Sequence, residues 1–113
     1  GHPPMILVPT SGPPRTLPTQ GIPVGMLEDS SWQEQTIDLK LGERLYLYTD
    51  GVIEAGMKTC GEFGMERLIA ALADNRSAPI QASVEAVQEQ VESWCGGSEP
   101  EDDITILALE VTA

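Results

Sequence analysis

Arg44-Leu45-Tyr46-Leu47-Tyr48-Thr49-Asp50-Gly51-Val52-Ile53-Glu54-Ala55 is the stretch on which the reading of this chain turns. Its first five residues form an alternating apolar run of the kind a strand makes, and that run leads straight into Asp50-Gly51. A second acidic motif, Glu101-Asp102-Asp103-Ile104-Thr105, stands directly before another strand-like run, Ile106-Leu107-Ala108-Leu109. Carboxylates at the ends of neighbouring strands can converge on one point. Convergent carboxylates suit a hard divalent cation such as Mg²⁺ or Mn²⁺.

Outward from that stretch, Gln35-Thr36-Ile37-Asp38-Leu39-Lys40-Leu41 alternates cleanly, which puts Ile37, Leu39 and Leu41 on one face. Gly42-Glu43 turns the chain into Arg44, so residues 35 to 49 are predicted to be an antiparallel hairpin. Seven of the nine prolines fall before residue 24, leaving a loop-rich N-terminal region with one short strand, Met5-Ile6-Leu7-Val8, expected at an edge or very short. Met65, Leu68, Ile69 and Leu72 recur at helical spacing and predict a helix from about Gly64 to Asp74. A second helix is expected from Pro79 to Trp94. Its apolar stripe is Ile80, Val84, Val87, Val91 and Trp94, its polar face Gln81, Glu85, Gln88 and Glu92, and Gly96-Gly97 ends it. The last strand, about Asp103 to Val111, is apolar on both faces, as expected of an interior strand. Strands, then two helices, then a returning strand favour an α+β layered fold over a parallel βαβ array.

The chain has 113 residues, room for one domain, and a formal charge of −12. No acid precedes Glu28, and no Lys or Arg follows Arg76. Such a surface repels phosphate backbones and disfavours nucleic-acid binding. A phosphorylated substrate would need cations at the site to offset that repulsion. No stretch is long and apolar enough for a bilayer-spanning helix and nothing resembles a signal peptide, so a soluble cytoplasmic protein is expected. The first residue is Gly rather than Met, and the opening reads as the middle of a strand-and-turn region, as in a piece of a longer protein. Cys60 and Cys95 lack the spacing and the histidine partners of a zinc site, and two reduced thiols are expected.

Each acidic motif has a bland reading. Asp50-Gly51 is also a strong hairpin-turn signal, because glycine accepts positive φ without steric penalty. Asp102-Asp103 is also what a solvated loop before a strand looks like. A helix starting at Asp50 would contradict the simple hairpin. His2, the one histidine, could donate a proton near the site, although a histidine beside two prolines is commonly a turn residue. Trp32 and Trp94 read as packing residues, Trp94 because it continues an apolar stripe.

Five blocks in order nonetheless make the chain resemble the SpoIIE/RsbU-type branch of the PPM (PP2C-like) protein serine/threonine phosphatases. They are Gly1-His2-Pro3-Pro4, Gly21-Ile22-Pro23-Val24-Gly25, Gly42 to Ala55, Gly61-Glu62-Phe63-Gly64 and Asp102-Asp103-Ile104-Thr105. The resemblance implies a β-sandwich flanked by helices, of which residues 1–113 are the C-terminal portion, and a two-metal site holding Mn²⁺ or Mg²⁺. It makes Asp50 a ligand of one metal and Asp102 a ligand or a bridge toward the same site. Asp103 becomes an outer partner of a ligand or of metal-bound water. Gly51 becomes the point where the backbone passes close to the cluster. The family's first-half motif, Gly-Asp-x-x-Asp, is absent from these residues and would lie upstream of Gly1.

The activity so implied is metal-assisted hydrolysis of phosphoserine or phosphothreonine on a protein. In this branch the usual substrate is a STAS-type anti-anti-sigma factor of a bacterial partner-switching pathway. With half the site missing, the fragment alone is expected to be inactive, and its open sheet edges could be covered by dimerisation or strand exchange. The alternative from another class is a non-catalytic, degenerate phosphatase fold that binds a partner protein. A Ca²⁺ module is disfavoured because no EF-hand spacing is present.

Overall fold

The computed structural model describes residues 2–18, 25–97 and 102–113, without the side chain of Cys95. Its centre is a four-stranded antiparallel sheet in the order β2-β1-β3-β4, with β1 at Met5–Val8, β2 at Arg15–Leu17, β3 at Arg44–Tyr48 and β4 at Ile106–Glu110. Three helices lie between β3 and β4: α1 at Asp50–Ile53, α2 at Gly64–Asp74 and α3 at Ile80–Ser93, the last followed by a 3-10 turn at Trp94–Gly96. β1 is as short as expected but lies inside the sheet. Pro4 and Pro9 flank it without entering it, so its four residues keep every ladder donor.

Two expectations are corrected. Residues 35–41 form no strand, and Ile37 and Leu41 are exposed. Alternation marks two faces but supplies no partner: β1 and β4 already occupy both edges of β3. The turn itself stands, with Gly42 at φ 85° and the Glu43 amide donating to the Lys40 carbonyl at 3.0 Å. The second correction concerns β4, which starts at Ile106 and is an edge strand among the described residues. One of its faces packs, and the other presents Leu107 and Leu109, 53% and 50% exposed.

Register explains the two faces of the sheet. Ile6, Tyr46 and Ala108 lie in line across three strands, as do Tyr48 and Ile106 across two. They face α2 and α3 and build the core with Val8, Val52, Phe63, Leu68, Leu72, Val87 and Val91. Leu7, Leu45 and Leu109 line up on the opposite face, beside the pair Leu47 and Leu107. Burial on the helical side includes two polar groups, both satisfied. Ser83 is fully buried, 2.8 Å from the Tyr46 hydroxyl and donating to the Ile80 carbonyl at 2.7 Å. Arg44 donates to Glu110 Oε1 at 2.9 Å and to the carbonyls of Asn75 and Ala78, tying the β3–β4 ladder to the end of α2.

The α3 stripe packs as its periodicity predicts: Val87 and Val91 are buried, Val84 and Trp94 join the core, and Glu85 and Glu92 face solvent. Among the described residues no helix is long and apolar enough to cross a membrane. Because Val87 has no exposed surface, Val87→Asp places an unpaired carboxylate in the core. The expected loss is about 3–5 kcal/mol, measured by urea denaturation, enough to unfold most of a domain this size. Unchanged stability would show that α3 does not pack through this face.

Candidate metal centre

β3 ends at Tyr48, Thr49 stays extended at φ −92° and ψ 160°, and Asp50 opens the one-turn helix α1. The Glu54 amide donates to the Asp50 carbonyl at 2.9 Å and the Val52 amide to the Thr49 carbonyl at 3.0 Å. Asp50-Gly51 is therefore a strand-to-helix junction and not a hairpin turn. Val52 and Ala55 are buried, which anchors the turn and leaves the Asp50 carboxylate exposed at the end of the sheet.

The second motif arrives beside it because β4 pairs with β3, Tyr48 opposite Ile106. Beyond that pair the segments remain joined. The Thr49 amide donates to the Thr105 carbonyl at 3.0 Å, the Thr105 amide to Thr49 Oγ1 at 3.0 Å, and Thr49 Oγ1 to the Asp103 carbonyl at 3.2 Å. Gly51 completes the contact. It is buried, and a Cβ built on it would lie 2.2 Å from the Asp103 carbonyl oxygen and 3.4 Å from that of Asp102. Only a residue without a side chain allows α1 to meet the Asp102-Asp103 backbone this closely.

His2, Pro3, Thr49, Asp50, Asp102 and Asp103 line one cavity of about 340 Å³. Asp102 also borders a smaller one of about 150 Å³ with Gly51, Glu54 and Lys58. One Asp102 oxygen accepts from the Asp103 amide at 2.8 Å, which orients the carboxylate. Asp50, Asp102 and Asp103 all border the cavity beside His2, and carboxylate oxygens are the donor type that hard divalent ions take, so this lining fits such an ion in kind. Among the described residues no group of three or more His, Cys, Asp or Glu gathers around a common point. Beneath the site, burial and then the nearby Asp50 charge push the Tyr48 phenol up to about 12, and its hydroxyl donates to Met65 Sδ at 2.9 Å.

Thr49, which joins the two motifs, escaped the sequence reading. Its place immediately before the aspartate was the one available sign. Cys60 is disulfide-bonded, which corrects the expectation that it is a reduced thiol; the side chain of Cys95 lies outside the described residues. The fold brings the end of α3 back to the Cys60 loop, a proximity that sequence separation conceals. Trp94 Nε1 donates to the Gly61 carbonyl at 2.8 Å, and the Arg67 guanidinium lies 4.2 Å from the Trp94 ring centre. Gly1, Gly21 to Val24 and Glu101, which belong to the sequence motifs, also lie outside the described residues.

The architecture is that of a PP2C-like phosphatase fold. It superposes on the SiaA-PP2C domain of Pseudomonas aeruginosa with a TM-score of 0.79 and 23% identity, over 95% of this chain and 42% of that one. The family model for Stage II sporulation protein E (SpoIIE) matches residues 1–112, and the chain belongs to that family. It is 32% identical over 109 residues to Protein IcfG of Synechocystis sp. and 28% identical over 111 residues to the phosphoserine phosphatase RsbP of Bacillus subtilis. Those matches cover 96% and 98% of this chain but 17% and 26% of the two relatives, so the chain spans about a quarter of their length or less.

Gly51→Ala tests the contact between the motifs. The added methyl meets backbone on the opposing segment, so residues 102–103 must move. A loss of about 1–3 kcal/mol in urea denaturation is expected, with amide shifts at Asp102 and Asp103. Wild-type stability with unmoved shifts would show that the segments do not touch.

Proposed function

We propose that this chain is the C-terminal portion of a Mn²⁺- or Mg²⁺-dependent protein phosphatase domain that hydrolyses phosphoserine or phosphothreonine. One observation carries the reading: Asp50 and Asp102, on segments 52 residues apart in sequence, border one cavity at the end of a PP2C-like sheet. Membership in the SpoIIE family and similarity to a phosphoserine phosphatase support it. The β4 end of the leucine face supports the partial-domain reading: Leu7 and Leu45 are buried there, but Leu107 and Leu109 are half exposed on a surface that further chain would cover.

In this account Asp50 and Asp102 hold the cation. Asp103 supports it from outside through its backbone and its bond to Asp102, and Gly51 lets α1 close on that backbone. A bound metal would neutralise phosphoryl charge and acidify a water. The protein's own part is positional: Thr49 locks the two acidic segments in register, so their spacing is set before substrate arrives. The remaining carboxylates, and the strands that cover the leucine face, come from the portion of the domain that precedes Gly1. The substrate is a STAS-type anti-anti-sigma protein, met in the cytoplasm.

The test compares the 113-residue chain with a chain extended upstream, each given Mn²⁺ and a phosphoserine protein. The extended chain is expected to release phosphate in a Mn²⁺-dependent way and the short chain to be silent or nearly so. Asp50→Asn or Asp102→Asn should reduce the extended chain's rate by at least about 10²-fold, the upper range for losing even an outer partner of a metal ligand. Equal metal-dependent activity in the short chain would refute the half-site reading. An inactive extended chain would favour a degenerate, partner-binding domain.

A further inference from the structure

We propose that the disulfide at Cys60 is a redox latch: it fixes the loop that walls one side of the Asp102 cavity, and reduction by a cellular dithiol releases that loop. The latch's effect on a bound cation rests on the metal-centre reading above; its effect on the loop does not.

Cys60 belongs to the segment between α1 and α2, which is built as one block. The amides of Thr59, Cys60 and Gly61 all donate to the Gly56 carbonyl, at 3.0, 3.0 and 2.9 Å. Phe63, buried in the core, closes the base of the block by donating its amide to the Ala55 carbonyl at 2.8 Å. Three donors on one acceptor leave little freedom within the loop, so a displacement of Cys60 is shared by Met57 and Lys58. Those two residues border the cavity of about 150 Å³ together with Gly51, Glu54 and Asp102. Whatever holds Cys60 therefore sets the wall that faces Asp102.

The block meets the end of α3. Trp94 Nε1 donates to the Gly61 carbonyl at 2.8 Å, and the Trp94 ring stands edge-on to Phe63, 5.9 Å between centres and 81° between planes. Cys95, the other cysteine of the chain, follows Trp94 in the 3-10 turn Trp94–Gly96. A hydrogen bond at this partly exposed surface competes with water and contributes little net hold. The covalent bond has no such competitor, so its loss passes control of the loop to contacts that open locally.

Cys60 is exposed, within reach of a reductant, and stands outside the core cluster, so breaking its bond spares the core. Exposed disulfides are the labile and regulatory ones, and in a reducing compartment a disulfide commonly senses redox state. The step is a two-electron exchange. A thiolate of the dithiol attacks one sulfur of the bond, and the bonding pair leaves on the other sulfur, which takes a proton. The dithiol's second sulfur then displaces the first mixed disulfide. The reductant ends oxidised as a disulfide, and the chain ends with two thiols.

The test compares the isotope-labelled chain before and after dithiothreitol. The untreated chain is expected to be monomeric with no titratable thiol, and the treated chain to show two. Reduction should move the amide resonances of Met57, Lys58 and Gly61, the Trp94 indole resonance, and the amides of Asp102 and Asp103. Cys60→Ser should give the reduced pattern without dithiothreitol and no further response to it. Mn²⁺ should bind about fivefold or more weakly after reduction, because a loosened wall must be re-ordered around the ion. A disulfide-linked dimer, a bond that resists dithiothreitol, or shifts confined to the neighbours of the two cysteines would each overturn the latch. Equal, measurable Mn²⁺ affinity in both states would overturn its link to the cation. Failure of Mn²⁺ to bind in either state would count against the metal-centre reading, and the amide shifts would still decide the latch.

Discussion

Everything in this fold hangs on the two hydrogen-bonding edges of β3. One is taken by β1, near the N-terminus, and the other by β4, near the C-terminus, so the middle of the sequence closes the sheet between its two ends. That pairing excludes residues 35–41 from the sheet despite their alternation. It also brings the residues after β3 level with those before β4. The acidic motifs meet because the strands that carry them are antiparallel neighbours.

Backbone chemistry holds the site at that meeting point. Three hydrogen bonds through Thr49 and the contact at Gly51 join the two acidic segments before any ion is considered. Packing differs along the leucine face of the sheet: Leu7 and Leu45 are buried, whereas Leu107 and Leu109 on the edge strand β4 are half exposed.

Sequence patterns conveyed the helices best. The α2 and α3 stripes repeat at the helical period over 11 and 14 residues, long enough for one burial pattern to stand out. Strands were legible as faces and not as pairings. Residues 35–41 alternate as well as β3 does, yet hydrogen-bond partners are a property of the whole sheet. β2 was hidden because its three residues sit between Pro13-Pro14 and Pro18, too few to show a period. β4 read as interior because Leu107 and Leu109 make its outer face apolar, which is true of the residues and silent about what covers them. At the site, Asp50, Asp102 and Asp103 stood out through their place beside strands. Thr49, the Gly51 contact and the Cys60 disulfide depend on tertiary approach, which no local pattern carries.

The central claim is that Asp50 and Asp102 act on one ion. A Mn²⁺ titration of the isotope-labelled chain, followed by paramagnetic broadening of its amide resonances, tests it most directly. The account predicts that amides at 50–51 and 102–103 broaden together and first, and that Asp50→Asn relieves the broadening at both segments. Broadening confined to one segment, or spread over the acidic surface of α3 with the two motifs unaffected, would contradict it.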